Sequence, residues 1–152
     1  MHTHENTKPG LAFSILHNHC PRCRRGKLFK QTNPYKLNEL MTMNEKCPVC
    51  GQTTDMEPGF YYGTSFVSYA LAIATSVATI IAWWLFIGFS LNDNRFFWWM
   101  GTNAVVLIAL QPLLMRWSRT IWFSFFIRYS PLWNEGDIVT PERTNDGLKN
   151  AW

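Results

Sequence analysis

Along this chain the hydrophobic and polar positions separate into zones. Up to about residue 57, charged and apolar residues are interspersed, and the only early apolar run is Leu11–Leu16 (LAFSIL). From Pro58 to Asn92 there are 35 consecutive residues without a formal charge, with residues 65–90 (SFVSYALAIATSVATIIAWWLFIGFS) as their apolar heart. A second run, Phe96–Met115, places 20 uncharged residues between Arg95 and Arg116. A bilayer core about 30 Å thick is crossed by roughly 20 helical residues, so each run predicts a membrane-spanning helix. A buried helix of a soluble protein rarely runs so far without one charge. The intervening Leu91–Arg95 (LNDNR) is turn-forming and short, which predicts an antiparallel hairpin over residues 58–115. Pro112 removes a backbone donor and should kink the second helix near its end.

Aromatic and basic residues then orient the hairpin. Tyr61 and Tyr62 mark one entrance, Trp83, Trp84, Trp98 and Trp99 gather toward the turn, and Trp117 and Trp122 mark the exit. Close to the spans, Lys46, Arg116, Arg119 and Arg128 stand on one side against Arg95 on the other, so both termini are expected in the cytoplasm. Residues 116–133 contain too short an uncharged stretch for a third crossing. They are expected as an aromatic and basic helix on the membrane surface, with Arg116, Trp117, Arg119, Trp122 and Arg128 at the interface. The other reading extends the second span, its arginines snorkelling to the headgroups. Residues 1–14 and 134–152 are expected to be flexible. In the first helix Ala70, Ala74, Ala78 and Ala82 recur at a spacing of four. Such a stripe lets helices approach closely, first of all the second helix of the hairpin, or else another membrane protein. Glu57 is expected to cap the start of the first helix.

Composition agrees with this division. Of 152 residues 16% are aromatic and 16% charged, against roughly 25% charged in soluble domains. The net charge of +4 suits an anionic membrane face. The spans hold no His, Asp, Glu or Lys, which removes haem ligation by histidine, a proton relay and an ion site. There is no phosphate loop, no G-x-S-x-G, no H-E-x-x-H and no long repeat. Leu11–Leu16 is too short for the apolar core of a signal peptide. The basic run Arg22–Lys27 lacks interleaved aromatics, so no nucleic acid is expected, and no small-molecule substrate is indicated.

The available chemistry lies in two pairs, Cys20-Pro-Arg-Cys23 and Cys47-Pro-Val-Cys50, with 23 residues between them. Two C-x-x-C pairs at such a distance match a four-thiolate zinc site, because each pair makes a tight turn that puts two sulfurs on one side of an ion. Gly51 suits a positive φ after the second pair, whereas the first pair is followed by Arg24-Arg25 and its glycine comes late, at Gly26. Arg22, Arg24, Arg25, Lys27 and Lys46 would offset the negative charge of a zinc tetrathiolate. His17 and His19, just before Cys20, could add or exchange a ligand. Between the pairs, Lys27–Lys30 (KLFK) reads as a short strand and Leu37, Leu40 and Met41 as a helical turn or two. Such a module, residues 15–57, would be a rubredoxin-like or zinc-ribbon-like fold whose one structural Zn²⁺ supplies its folding energy. Iron is the less expected occupant, and a dithiol redox pair the less expected chemistry.

The segments CPRCRRGKLF, NPY, LNELMTM, CPVCGQ and above all MEPGFYYGTSFVSYAL resemble a bacterial family known as domain of unknown function 983, in its Bacteroidetes-type version. The resemblance covers roughly residues 15–130, and Glu57–Leu71 is its specific part. It implies an inner-membrane protein with a cytoplasmic zinc-ribbon-like head, ligated by Cys20, Cys23, Cys47 and Cys50. An association of some members with genes for haem–copper oxidase biogenesis implies respiratory assembly as a direction. The expectation is thus a non-enzymatic accessory subunit or assembly factor among other inner-membrane subunits in the lipid bilayer. The alternative is a thiol-redox or metal-handling factor.

Overall fold

A computed structural model describes residues 10–57, 59–88, 93–134 and 136–140. Three α-helices occur among them, α1 (Leu11–Leu16), α2 (Thr64–Phe86) and α3 (Arg95–Phe126), with single 3₁₀ turns at Leu37–Glu39 and Phe60–Gly63. Both α2, with the turn before it, and α3 are long and apolar enough to cross a membrane. They pack against each other as a hairpin. Residues 89–92, and with them the first two residues of the expected turn Leu91–Arg95, lie outside the described residues, as do 1–9 and 141–152.

The hairpin seam is polar where the sequence had placed its few polar residues. Thr79 Oγ1 donates to Asn103 Oδ1 at 2.9 Å, and the Asn103 amide donates to Ser76 Oγ at 3.2 Å. Thr75 and Ser76 also bond the carbonyls of Leu71 and Ala72 one turn back. An apolar helix tolerates such residues because each hydroxyl has an acceptor at hand. This seam turns the alanine stripe away from α3. Ala70, Ala74, Ala78 and Ala82 are all exposed and do not form the hairpin seam expected of them, although Ala82 lines a cavity between the helices with Trp99 and Asn103. No residue of α2 is buried, and every buried residue of α3 lies between Pro112 and Phe123.

Those buried residues meet a small head built from residues 10–57, which besides α1 and the 3₁₀ turn Leu37–Glu39 has isolated β-bridges of His19 with Lys27, Phe29 with Met43, and Lys46 with Thr53. Leu28, Phe29, Met43 and the four cysteines share one core with Phe123 and Ile127, flanked by Met56, Phe60, Tyr61 and Trp133. A head this short buries few apolar side chains by itself. The end of α3 supplies the missing part of its core.

Residues 116–133 are therefore not a separate interfacial helix. α3 continues without a break through Pro112 to Phe126, and the head buries one face of it from Pro112 to Phe123. Arg116 is 2% exposed. Its guanidinium donates to the carbonyls of Leu40 (3.1 Å), Thr32 (3.2 Å) and Asn33 (3.1 Å) and lies over the Phe29 ring. Arg119 donates to Met41 O at 3.0 Å and lies over Tyr61. Trp117 donates its indole N–H to Leu16 O, so with the two arginines it holds the head, while Trp122 donates to Phe60 O in the turn before α2 and Arg128 is exposed. Tyr61 donates to Thr54 O at 2.6 Å as part of the core, and Tyr62 is exposed. Glu57 contributes its backbone carbonyl to Phe60 N, and no side chain caps the helix start. The ends are also more ordered than expected: Leu11–Leu16 is helical, and residues 136–139 lie along the head. Gly63 permits a close approach of Trp122 to the start of α2, since a Cβ there would sit 2.1 Å from the Trp122 ring.

Arg116 holds three backbone carbonyls of the head, and a lysine has one compact ammonium where the guanidinium has a fork. Arg116→Lys should thus destabilise the head against proteolysis by about 2–3 kcal/mol, from the loss of charge-assisted hydrogen bonds. Arg128→Lys should leave the midpoint of thermal unfolding in detergent unchanged. Equal behaviour of the two variants would contradict this role for Arg116.

Candidate metal centre

Each cysteine pair sits in a tight turn closed by backbone hydrogen bonds. In the first, Cys20 N donates to Gly26 O and Arg24 N to Cys20 O, both at 2.7 Å. In the second, Cys47 N donates to Gln52 O at 2.8 Å and Gly51 N to Cys47 O at 2.9 Å. The residue after each second cysteine takes a left-handed backbone, Arg24 at φ 56° and Gly51 at φ 70°. Arg24 thus occupies the conformation that the second knuckle gives to glycine, and its side chain stacks over the Tyr129 ring at 4.4 Å.

The late glycine has a different purpose. A Cβ on Gly26 would lie 2.3 Å from Cys47 Sγ, so only glycine lets the first knuckle's backbone pass the second knuckle's sulfur. Gly26 N also points at Cys23 Sγ, 3.4 Å away. An N–H aimed at sulfur stabilises the thiolate form.

The four sulfurs come together from both knuckles. Cys20 Sγ and Cys50 Sγ are 3.8 Å apart, Cys23 Sγ and Cys47 Sγ 3.7 Å, and all four lie within 4.8 Å of one another. Tetrahedral Zn²⁺ with bonds of about 2.3 Å sets sulfurs about 3.8 Å apart, so the spacing fits a four-thiolate ion. All four cysteines are free and buried, and their donor set suits zinc or iron. Without a cation the sulfurs cannot all ionise together. The hydrogen bond between Cys20 and Cys23 raises the first thiol and lowers the second, and bonding to Cys20 holds Cys47 at about 7. A divalent cation is the group that lets four thiolates share so small a volume.

Neither histidine belongs to this cluster. His17 is exposed with Nδ1 against Phe13 O, and His19 is half-buried. Of the basic residues expected to offset the thiolates, Arg22 is buried: it reaches Cys50 O at 3.4 Å, Gly136 O at 2.5 Å and Asp137 O at 2.9 Å. Arg25, Lys27 and Lys46 are exposed. Gln52, fully buried, grips the same segment through a reciprocal pair, Nε2 to Val139 O (2.7 Å) and Val139 N to Oε1 (3.2 Å). Residues 136–139 thereby cover the second knuckle, with Ile138 against Gly51. Sequence reasoning missed the clamps at Arg22 and Gln52 and the close approach at Gly26. Only the glycine left a signal, its odd position after the first pair.

Compared with models of protein families, with curated proteins and with solved structures, the chain matches none of them.

Gly26→Ala should weaken zinc binding roughly 10- to 100-fold although every cysteine is retained, the scale on which residues behind the ligands tune metal affinity. Gly10→Ala, which meets no atom within 4 Å, is the control. Competition against a chromophoric chelator reads the difference, and unchanged affinity in Gly26→Ala would contradict the packing of the two knuckles.

Proposed function

We propose that this protein is a member of the domain-of-unknown-function-983 family: a zinc-binding bacterial inner-membrane protein with both termini in the cytoplasm. It acts without catalysis, as an accessory subunit or assembly factor of a larger membrane complex. The direction toward respiratory, haem–copper oxidase assembly rests on the resemblance in Glu57–Leu71 alone.

The observation that carries this reading is the shared core. Phe123 and Ile127 of the apolar hairpin lie in one cluster with the four cysteines. A head joined in this way cannot swing out to meet a distant substrate. It offers a fixed surface at a fixed height above the bilayer, as a docking subunit requires. Burial of the sulfurs, with Cys20, Cys23, Cys47 and Cys50 at 0%, 1%, 3% and 9% exposure, supports a structural ion over thiol exchange, because exchange needs an accessible thiolate. In the bilayer, the exposed faces of both helices are largely the large apolar side chains that lipid would cover, Phe66, Ile73, Val77, Ile81, Val105 and Ile108 among them.

Gentle-detergent purification of the full chain tests the proposal. It should yield one tightly held zinc per chain, thiols that react only after denaturation, and companion subunits in stoichiometric amount. Cys47→Ser should lower the protein's abundance several-fold. A labile metal, or a reversible Cys20–Cys23 or Cys47–Cys50 disulfide in folded protein, would replace this reading with metal handling or thiol chemistry.

A further inference from the structure

We infer that the underside of the head, formed by α1 and the turn Asn33–Lys36, lies in the headgroup layer of the bilayer and is covered by lipid. The inference rests on the membrane reading above and extends it to two segments that do not belong to the hairpin. Tyr35 Oη donates to Ala109 O at 3.2 Å, three residues on the turn side of Pro112, where burial of α3 by the head begins. Beside that bond, Ile108 is 75% exposed and Val105 66%, so the turn reaches the edge of the hairpin's apolar belt. Tyr35 is itself 59% exposed and Lys36 is exposed next to it. A tyrosine whose ring is open and whose hydroxyl is held, with a lysine beside it, is the pairing favoured at headgroup depth.

α1 approaches the same level from the other end. Asn18 Oδ1 accepts from Thr120, and Leu16 O accepts from Trp117. Two steps back along the head therefore move three residues down α3 toward the apolar belt. α1 packs against α3, and its five further residues from Leu16 back to Leu11, about 7.5 Å at the helical rise, are long enough to span the distance from the level of Trp117 to that of Pro112. Along this descent Leu11, Phe13 and Leu16 are 48%, 49% and 53% exposed. Three large apolar side chains on one short helix are unfavourable in water by roughly 25 cal/mol per Å² left uncovered. Their continuity with the belt makes lipid the occupant. The run LAFSIL, too short to cross a bilayer, is long enough to lie in its surface.

The test places p-benzoyl-phenylalanine singly at Phe13, Lys36, Ile108 and Val49 in the full chain. Ile108 samples the belt, and Val49, an exposed apolar side chain on the second knuckle, samples the head away from it. Each protein is reconstituted in vesicles of phosphatidylethanolamine and phosphatidylglycerol, irradiated, and weighed intact for lipid adducts. Phe13 and Lys36 should give adducts several-fold above Val49 and comparable to Ile108. Adducts at Ile108 with Phe13 and Lys36 at the Val49 level would overturn the inference and leave the membrane reading standing. Absence of adducts at Ile108 as well would overturn both.

Discussion

Four sulfur atoms from two distant parts of the chain share a volume in which no two are more than 4.8 Å apart, and the build of both knuckles follows from holding them there. Thiols in such contact compete for protons, and only a cation lets all four carry charge together. The arrangement asks for a glycine at Gly26, where the two knuckles touch, and for a left-handed residue after each pair, at Arg24 and Gly51. It also asks for cover. Arg22 and Gln52 draw residues 136–139 across the second knuckle, so the sulfurs are shielded by chain from beyond the hairpin as well as from before it.

The second constraint is the burial of Arg116 and Arg119. Carbonyl oxygens and aromatic faces surround both guanidiniums, and the Asp55 carboxylate acts electrostatically on Arg119. A buried cation is costly, and hydrogen bonds from its donors offset that cost. The bonds from Arg116 and Arg119 to Thr32, Asn33, Leu40 and Met41 fix the loop 32–41 against α3, and the chain just beyond it brings Met43 into the core with the cysteines. Head and hairpin are in consequence one body. The helix surfaces that remain open, the alanine stripe of α2 among them, face away from it.

Much of this was legible in the sequence wherever the determining physics is local. The two apolar runs announce their helices by length and lack of charge, and the C-x-x-C spacing announces the sulfur cluster. What could not be read depends on contacts between segments far apart in the chain. Arg116 and Arg119 look like interfacial arginines until the loop carbonyls they bind are known. The alanines look like the hairpin seam until Ser76, Thr79 and Asn103 are seen to occupy it. Residues 136–139 look like free tail because a two-point grip on Gln52 leaves no pattern in composition. Glu57 has the right type and place for a cap, yet the turn at Phe60–Gly63 uses its carbonyl.

X-ray absorption at the zinc edge of the purified full-length protein tests the central claim most directly. The account predicts one zinc per chain with a first shell of four sulfurs at about 2.3 Å and no nitrogen or oxygen ligand. A shell of mixed sulfur and nitrogen, or a protein that folds with its hairpin-docked head intact and without any bound metal, would contradict it.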